Sequence, residues 1–180
     1  MNYLNTNALP AGHVIEAVIQ DPVSTTTTHF IISNNKDLIM LEKYPPLPIY
    51  GKEQEPGFSL VQTEVSLGAL PWIIDSIENK FWKAASQGGL SNSILHVNNL
   101  VENEDLLLRF TPNCGDEGEK GFTLENYARK PLRGSNNHQS IQLSNRLLCD
   151  SGLLELFKTI VSKYQIPYPS VVDAPPPVWN

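Results

Sequence analysis

The densest run of groups able to do chemistry is Tyr127-Ala128-Arg129-Lys130-Pro131-Leu132-Arg133-Gly134. Three cations within five residues, beside an aromatic ring, suit a polyanion: the cations hold phosphates while the ring stacks on a base. Arg109 and Arg146 extend the same candidate surface. The nucleic-acid-binding set read from the sequence is therefore Tyr127, Arg129, Lys130, Arg133, Arg109 and Arg146. The plain alternative is a short basic loop that is simply solvated.

Catalysis needs converging groups, and none are advertised. There is no G-x-S-x-G elbow, no P-loop and no H-E-x-x-H pair. The histidines His13, His29, His96 and His138 stand apart, without metal-ligand spacing. Glu102, Glu104 and Asp105 form one acidic cluster, and Asp116, Glu117 and Glu119 another. Neither has the patterned oxygen loop with a distal Glu that calcium requires, so both are expected to be solvated loops. Gly115, Gly118 and Gly121 recur every third residue, but a strand follows them where a phosphate loop needs a helix. No catalytic residue, cofactor or metal is predicted.

Net charge is −6, with five Lys/Arg against nine Asp/Glu in residues 1–90 and eight against ten in residues 91–180. That balance argues against a surface coated in phosphate-binding groups and places any basic footprint in the second half. No apolar stretch approaches the ~20 residues that span a bilayer. The first residues, Met1 to Asn7, hold no cation and no apolar run of signal type. Cys114 and Cys149 lie in dissimilar settings and read as two reduced thiols. The expectation is a cytoplasmic protein with no membrane contact.

The elements that must position these groups are short. Strands are predicted at 13–19, 29–32, 37–42 and 58–65, from β-branched or alternating runs separated by Asp21-Pro22, Asn34-Asn35 and a Pro-rich loop from Tyr44 to Gly57. The period then changes, with Leu70, Ile73, Ile74, Ile77, Phe81 and Ala84 at helical spacing and Pro71 in the first turn. The second half repeats the order, with strands at 94–97, 105–110, 121–127 and 140–143. Its helix carries Leu153, Leu154, Phe157, Ile160, Val161 and Tyr164 on one face.

A shift of 80 residues lays His13-Val14-Ile15 on Ser93-Ile94-Leu95, Phe30 on Phe110, Val61-Gln62 on Ile141-Gln142, and Ile73-Ile74-Asp75 on Leu153-Leu154-Glu155. The fold class predicted is α+β: two β4α repeats forming antiparallel sheets, with two amphipathic helices packed on them. Each helix is expected to cover a sheet, the nearest being that of its own half, or to pack against the other helix. The organisation is a polar leader (1–11), a first repeat (12–89), a second repeat (90–165) and a Pro-rich tail (166–180) that should be extended or disordered.

That order of elements resembles the PUR-alpha and Whirly group of single-stranded nucleic-acid binders. Phe58 to Val65 running into Leu70 to Phe81, and Ser140 to Leu143 running into Leu153 to Tyr164, carry the resemblance. It implies a sequence-tolerant binder of single-stranded DNA or RNA acting as a homo-oligomer. The lysine-rich strand motif typical of Whirly proteins is missing. The competing expectation is an acidic protein–protein interaction module that uses an exposed sheet, the Pro-rich loop or the tail, with Trp179 as a docking anchor.

Overall fold

A computed structural model describes residues 3–45, 60–115, 117–132 and 137–174 of the 180. Arg133, Trp179, Asp116 and the predicted strand start at Phe58 lie outside the described residues.

The first half is a meander of four antiparallel strands, β1 (His13–Gln20), β2 (Thr27–Ser33), β3 (Asp37–Lys43) and β4 (Leu60–Ser66), in the order β1-β2-β3-β4. Local chemistry sets the turns. Asn34 and Asn35 take φ of 51° and 56°, and the Lys36 N–H closes the turn on the Ser33 carbonyl at 2.9 Å. Asn tolerates that left-handed backbone, and two such residues in a row match the twist of a hairpin. At the other bend Asp21 Oδ1 accepts from the N–H groups of Val23 and Ser24.

The second half repeats the meander with β5 (His96–Val101), β6 (Glu104–Thr111), β7 (Gly121–Asn126) and β8 (Gln139–Ser144). A ninth strand, β9 (Val171–Asp173), adds antiparallel to β5, so the second sheet runs β8-β7-β6-β5-β9. The fold is α+β, as the sequence predicts. Within the tail, expected to be extended or disordered, Val171-Val172 is an extended, β-branched pair that pairs with the edge of β5 despite its proline-rich surroundings.

A helical segment follows each meander. The first opens as a 3₁₀ turn at Leu67–Ala69, capped by Ser66 Oγ, and continues as α1 (Leu70–Asp75) with Pro71 in its first turn. It then widens to a π winding over Ser76–Phe81 and stops there, short of Ala84. The second is a π winding at Arg146–Asp150 followed by α2 (Leu153–Lys163). Among the described residues no helix is long and apolar enough to cross a membrane.

The helices do not simply cover the sheets of their own halves. Phe157 of α2 meets Phe30 of β2 edge-on, with ring centroids 6.2 Å apart. Phe81, closing the first helical segment, meets Phe122 of β7 at 5.2 Å. The Trp72 indole N–H of α1 donates to Asn99 Oδ1 of β5 at 3.0 Å. Lys163 and Tyr164, at the end of α2, both bind Glu16 of β1. Each helix thus reaches across to the other half's sheet, and one hydrophobic cluster contains the inner faces of both sheets and both helices. Full burial of each large side chain here, Trp72, Phe30, Phe122 and Phe157 among them, contributes roughly 1.5–3 kcal/mol. The crossing makes that burial common to the two halves.

The outer face of the first sheet is covered too. Ile31, Ile39 and Leu41 form a second small cluster under Tyr3, Leu4 and Leu9, and Leu4 N–H donates to Gln62 Oε1. The segment read as a polar leader is a cover, because Tyr3, Leu4 and Leu9 pack on the sheet and Thr6 Oγ1 accepts from Lys43 of β3, while Asn5 and Asn7 face water.

Candidate functional site

The strand register sorts the predicted basic surface into three separate places. On the outer face of the second sheet, Leu107 pairs with Glu125 and Arg109 with Thr123. Arg109 Nη2 binds Glu125 Oε1 at 2.6 Å, and the Tyr127 hydroxyl donates to Glu125 Oε2 at 2.6 Å. The Tyr127 ring lies on the His138 ring, with centroids 4.4 Å apart. Burial and the bond to Glu125 raise the Tyr127 phenol above its ordinary range. Tyr127, expected to be exposed for stacking on a base, is half-buried and already stacked.

Arg129 sits elsewhere, at the junction of the sheets. Its guanidinium binds Asp37 of β3 at 2.6 Å, Glu64 of β4 at 2.9 Å and Glu104 of β6 at 2.5 Å. Around this hub Asn126 Nδ2 donates to the Glu64 carbonyl and to Glu104 Oε2, and Gln139 Oε1 accepts from the Glu64 N–H. Burial opposes the charge of Arg129, but Asp37 and Glu104 outweigh it and push the guanidinium further toward the protonated state. Glu104, expected in a solvated loop, is buried and part of this hub.

Arg146 marks the third place. It binds Asp21 of the first half at 3.1 Å and Glu119 at 3.5 Å. Burial pushes the Asp21 carboxyl up. The hydrogen bonds from Arg146, Val23 and Ser24 more than offset it and hold the carboxyl below its usual value. Lys130 is exposed, and its carbonyl accepts from Gln139 Nε2. Arg109, Arg129 and Arg146 are thus each held by carboxylates, although the Arg109 side chain remains 44% exposed.

What the structure does present is apolar. Among the described residues β1 has a sheet neighbour on one side only, and its outer edge is unpaired over eight residues. Val14 is 52% exposed, Ile15 36% and Val18 53%. The corresponding strand of the second half begins the same way: Ile94 is 45% exposed and Leu95 53%. These are the two pairs that the 80-residue shift superposes. The Leu95 carbonyl accepts from Phe110 N–H at 2.8 Å, so it continues the β5–β6 ladder beyond β5 itself. Sequence reasoning read Val14-Ile15 and Ile94-Leu95 only as strand formers; their coincidence under one shift was the available signal.

The one charge on β1, that of Glu16, is paired. A bulge between Ile15 and Ala17 sets Glu16 apart from the ladder, and both its carboxylate oxygens bind Lys163 Nζ at 2.8 Å. Burial raises the Glu16 pKa, but Lys163 and Tyr164 hold it below the usual carboxylate value. Among the described residues no group of His, Cys, Asp or Glu is arranged to hold a metal ion. Both cysteines are free thiols, Cys114 buried and Cys149 exposed.

Comparison with family models, with curated proteins and with solved structures finds no match for this chain.

Proposed function

We propose that the protein is a protein–protein interaction module that recognises its partner through the edge of β1. One observation carries this reading: an eight-residue edge strand, its one charge paired, holds Val14, Ile15 and Val18 in water. Natural edge strands are usually short, charged or covered, because an open apolar edge is a template for another strand. Such an edge serves a partner by β-augmentation, in which main-chain hydrogen bonds supply affinity and alternate side chains supply specificity. The single-stranded nucleic-acid reading has less support, since Arg109, Arg129 and Arg146 are engaged by carboxylates.

A photo-crosslinking residue at position 18, compared with one at the exposed Gln87, tests the proposal in extract of the source cells. The expected result is one discrete adduct from position 18, unaffected by salt and missing from position 87. An empty lane from position 18, together with salt-sensitive binding of a fluorescent single-stranded oligonucleotide, overturns it in favour of nucleic acid.

A further inference from the structure

The two halves share a meander, and their first strands share an exposed apolar pair. They differ in what happens at the edge. β1 is open. On β5 the chain lays its own β9, pairing Val171 with Val101, Val172 with Leu100 and Asp173 with Asn99. Asn99 Nδ2 adds a side-chain bond to Asp173 Oδ1 at 3.2 Å. Among the described residues the paired stretch is three residues long, with the Ala174 N–H adding a bond to the Asn98 carbonyl, and Ile94 and Leu95 are exposed. The molecule therefore shows what a first-strand edge accepts: a short extended segment with two adjacent β-branched residues, entering after Pro167 and Pro169.

Resting on the reading of β1 as a partner-binding edge, we infer that the chain has two equivalent strand-accepting edges. The edge at β5 is closed in part by its own residues 171–173, and the partner of both is an extended segment of that kind on another protein. Three features converge on this. The exposed pairs Val14-Ile15 and Ile94-Leu95 are equivalent under the repeat, so the apolar surface occurs once per half. Leu95 continues the β5–β6 ladder, so the strand on which β9 is seated runs on beyond the residues paired with 171–173. The only acid of β1 is paired with Lys163, so an otherwise acidic protein of net charge −6 offers an apolar edge with no unpaired carboxylate. The tail is then a tethered competitor. Its effective concentration is on the order of millimolar for a short linker, enough to hold one edge against a weak partner and leave the other free.

The experiment uses the full chain, isotope-labelled for amide spectra, and as probe a synthetic peptide copying residues 166–174. The expected result is saturable change at the amides of residues 13–21, which include the counterparts of the β9 seat at 19–21, with one peptide per chain and at roughly millimolar peptide. Val18→Lys, at an exposed position, weakens that binding about tenfold, because the ammonium must be desolvated against an apolar strand. Val172→Pro removes a ladder N–H from exposed β9 and opens the second edge, so the amides of residues 95–101 respond as well and the count rises to two. If the peptide leaves β1 unmoved while position 18 still crosslinks to a protein, this inference falls and the proposed function stands. A count that stays at one in Val172→Pro, with β9 shown to be released, overturns the equivalence of the edges. Sedimentation showing a dimer that Val18→Lys abolishes, with no response to peptide, replaces the partner with a second copy of the chain and overturns the inference.

Discussion

Glu42 offers the sharpest test of the energetics. It lies on the inner face of the first sheet, paired across β4 with Val61 and across β2 with Thr28, and is 8% exposed. Burial raises its carboxyl from 4.5 to about 7, although a hydrogen bond from Tyr44 favours the charged form. At 1.36 kcal/mol per pH unit, that difference is a cost of about 3 kcal/mol, borne by the folded state once the carboxyl is ionised. Below pH 4.5 the group is protonated folded and unfolded, and the cost vanishes. As pH rises from 4.5 to about 7 the unfolded chain loses the proton first, so stability is lost across that window and stays lost above it. Glu42 lines a cavity of about 710 Å3, so entering water makes about 3 kcal/mol an upper figure. Glu42→Gln keeps the shape and the acceptor and removes the ionisation. Urea unfolding at constant ionic strength should find the variant about 2–3 kcal/mol more stable than wild type at pH 8 and within about 1 kcal/mol of it at pH 5. A Glu42→Gln variant that loses stability equally at both pH values refutes the reasoning, since its carboxylate would then be making a favourable native contact.

The same unfolding assay applied to Arg129→Met should show a loss of about 3–5 kcal/mol at pH 7, because three carboxylates are left facing one another without a cation. Arg129→Lys should not restore the wild-type value, since an ammonium cannot reproduce the planar fork. In Gly121→Ala the new Cβ would lie 2.4 Å from the Leu143 carbonyl oxygen and 2.6 Å from Ser144 Cα, forcing β7 and β8 apart. A fall of about 1–3 kcal/mol in thermal or chemical unfolding is expected, and an unchanged melting curve refutes the close approach. Maleimide should label Cys149 in the native state and reach Cys114 only on unfolding, because Cys114 is buried and its thiol is pushed up to about 11. Equal labelling rates would contradict that burial.

The sequence carried the meander but not its assembly. The strands were legible because β-branched runs end at turn chemistry such as Asn34-Asn35, whose backbone the structure places in the left-handed region. The helices were legible from their spacing, but an apolar stripe on α2 does not say which sheet it will cover, and Phe157 chose Phe30 of the other half. Arg129 was visible as a cation. Its three partners were not, because Asp37, Glu64 and Glu104 belong to three strands whose nearness depends on how the sheets join. β9 was hidden by the proline content around Val171-Val172, and the cover formed by Tyr3, Leu4 and Leu9 by the Asn and Thr between them. The open edge of β1 was out of reach for a related reason: exposure is set by what fails to arrive beside a strand, which local pattern does not encode.

The hub around Arg129 also sets a schedule for a chain being made from its N-terminus. Asp37 precedes Arg129 by 92 residues, which at roughly 5–20 residues per second is about 5–20 s of synthesis. Once β4 is complete at Ser66, the first meander waits out the rest of that interval with its carboxylates uncompensated. Its inner face then waits longer still, for Phe157. A half so dependent on what has not been translated is sticky while it waits, and β1 already has an unpaired apolar edge. Slow codons or a nick between the halves should therefore lower the yield of soluble protein far more than a similar interruption within the last strand, because only the former prolongs the time that the first sheet spends alone.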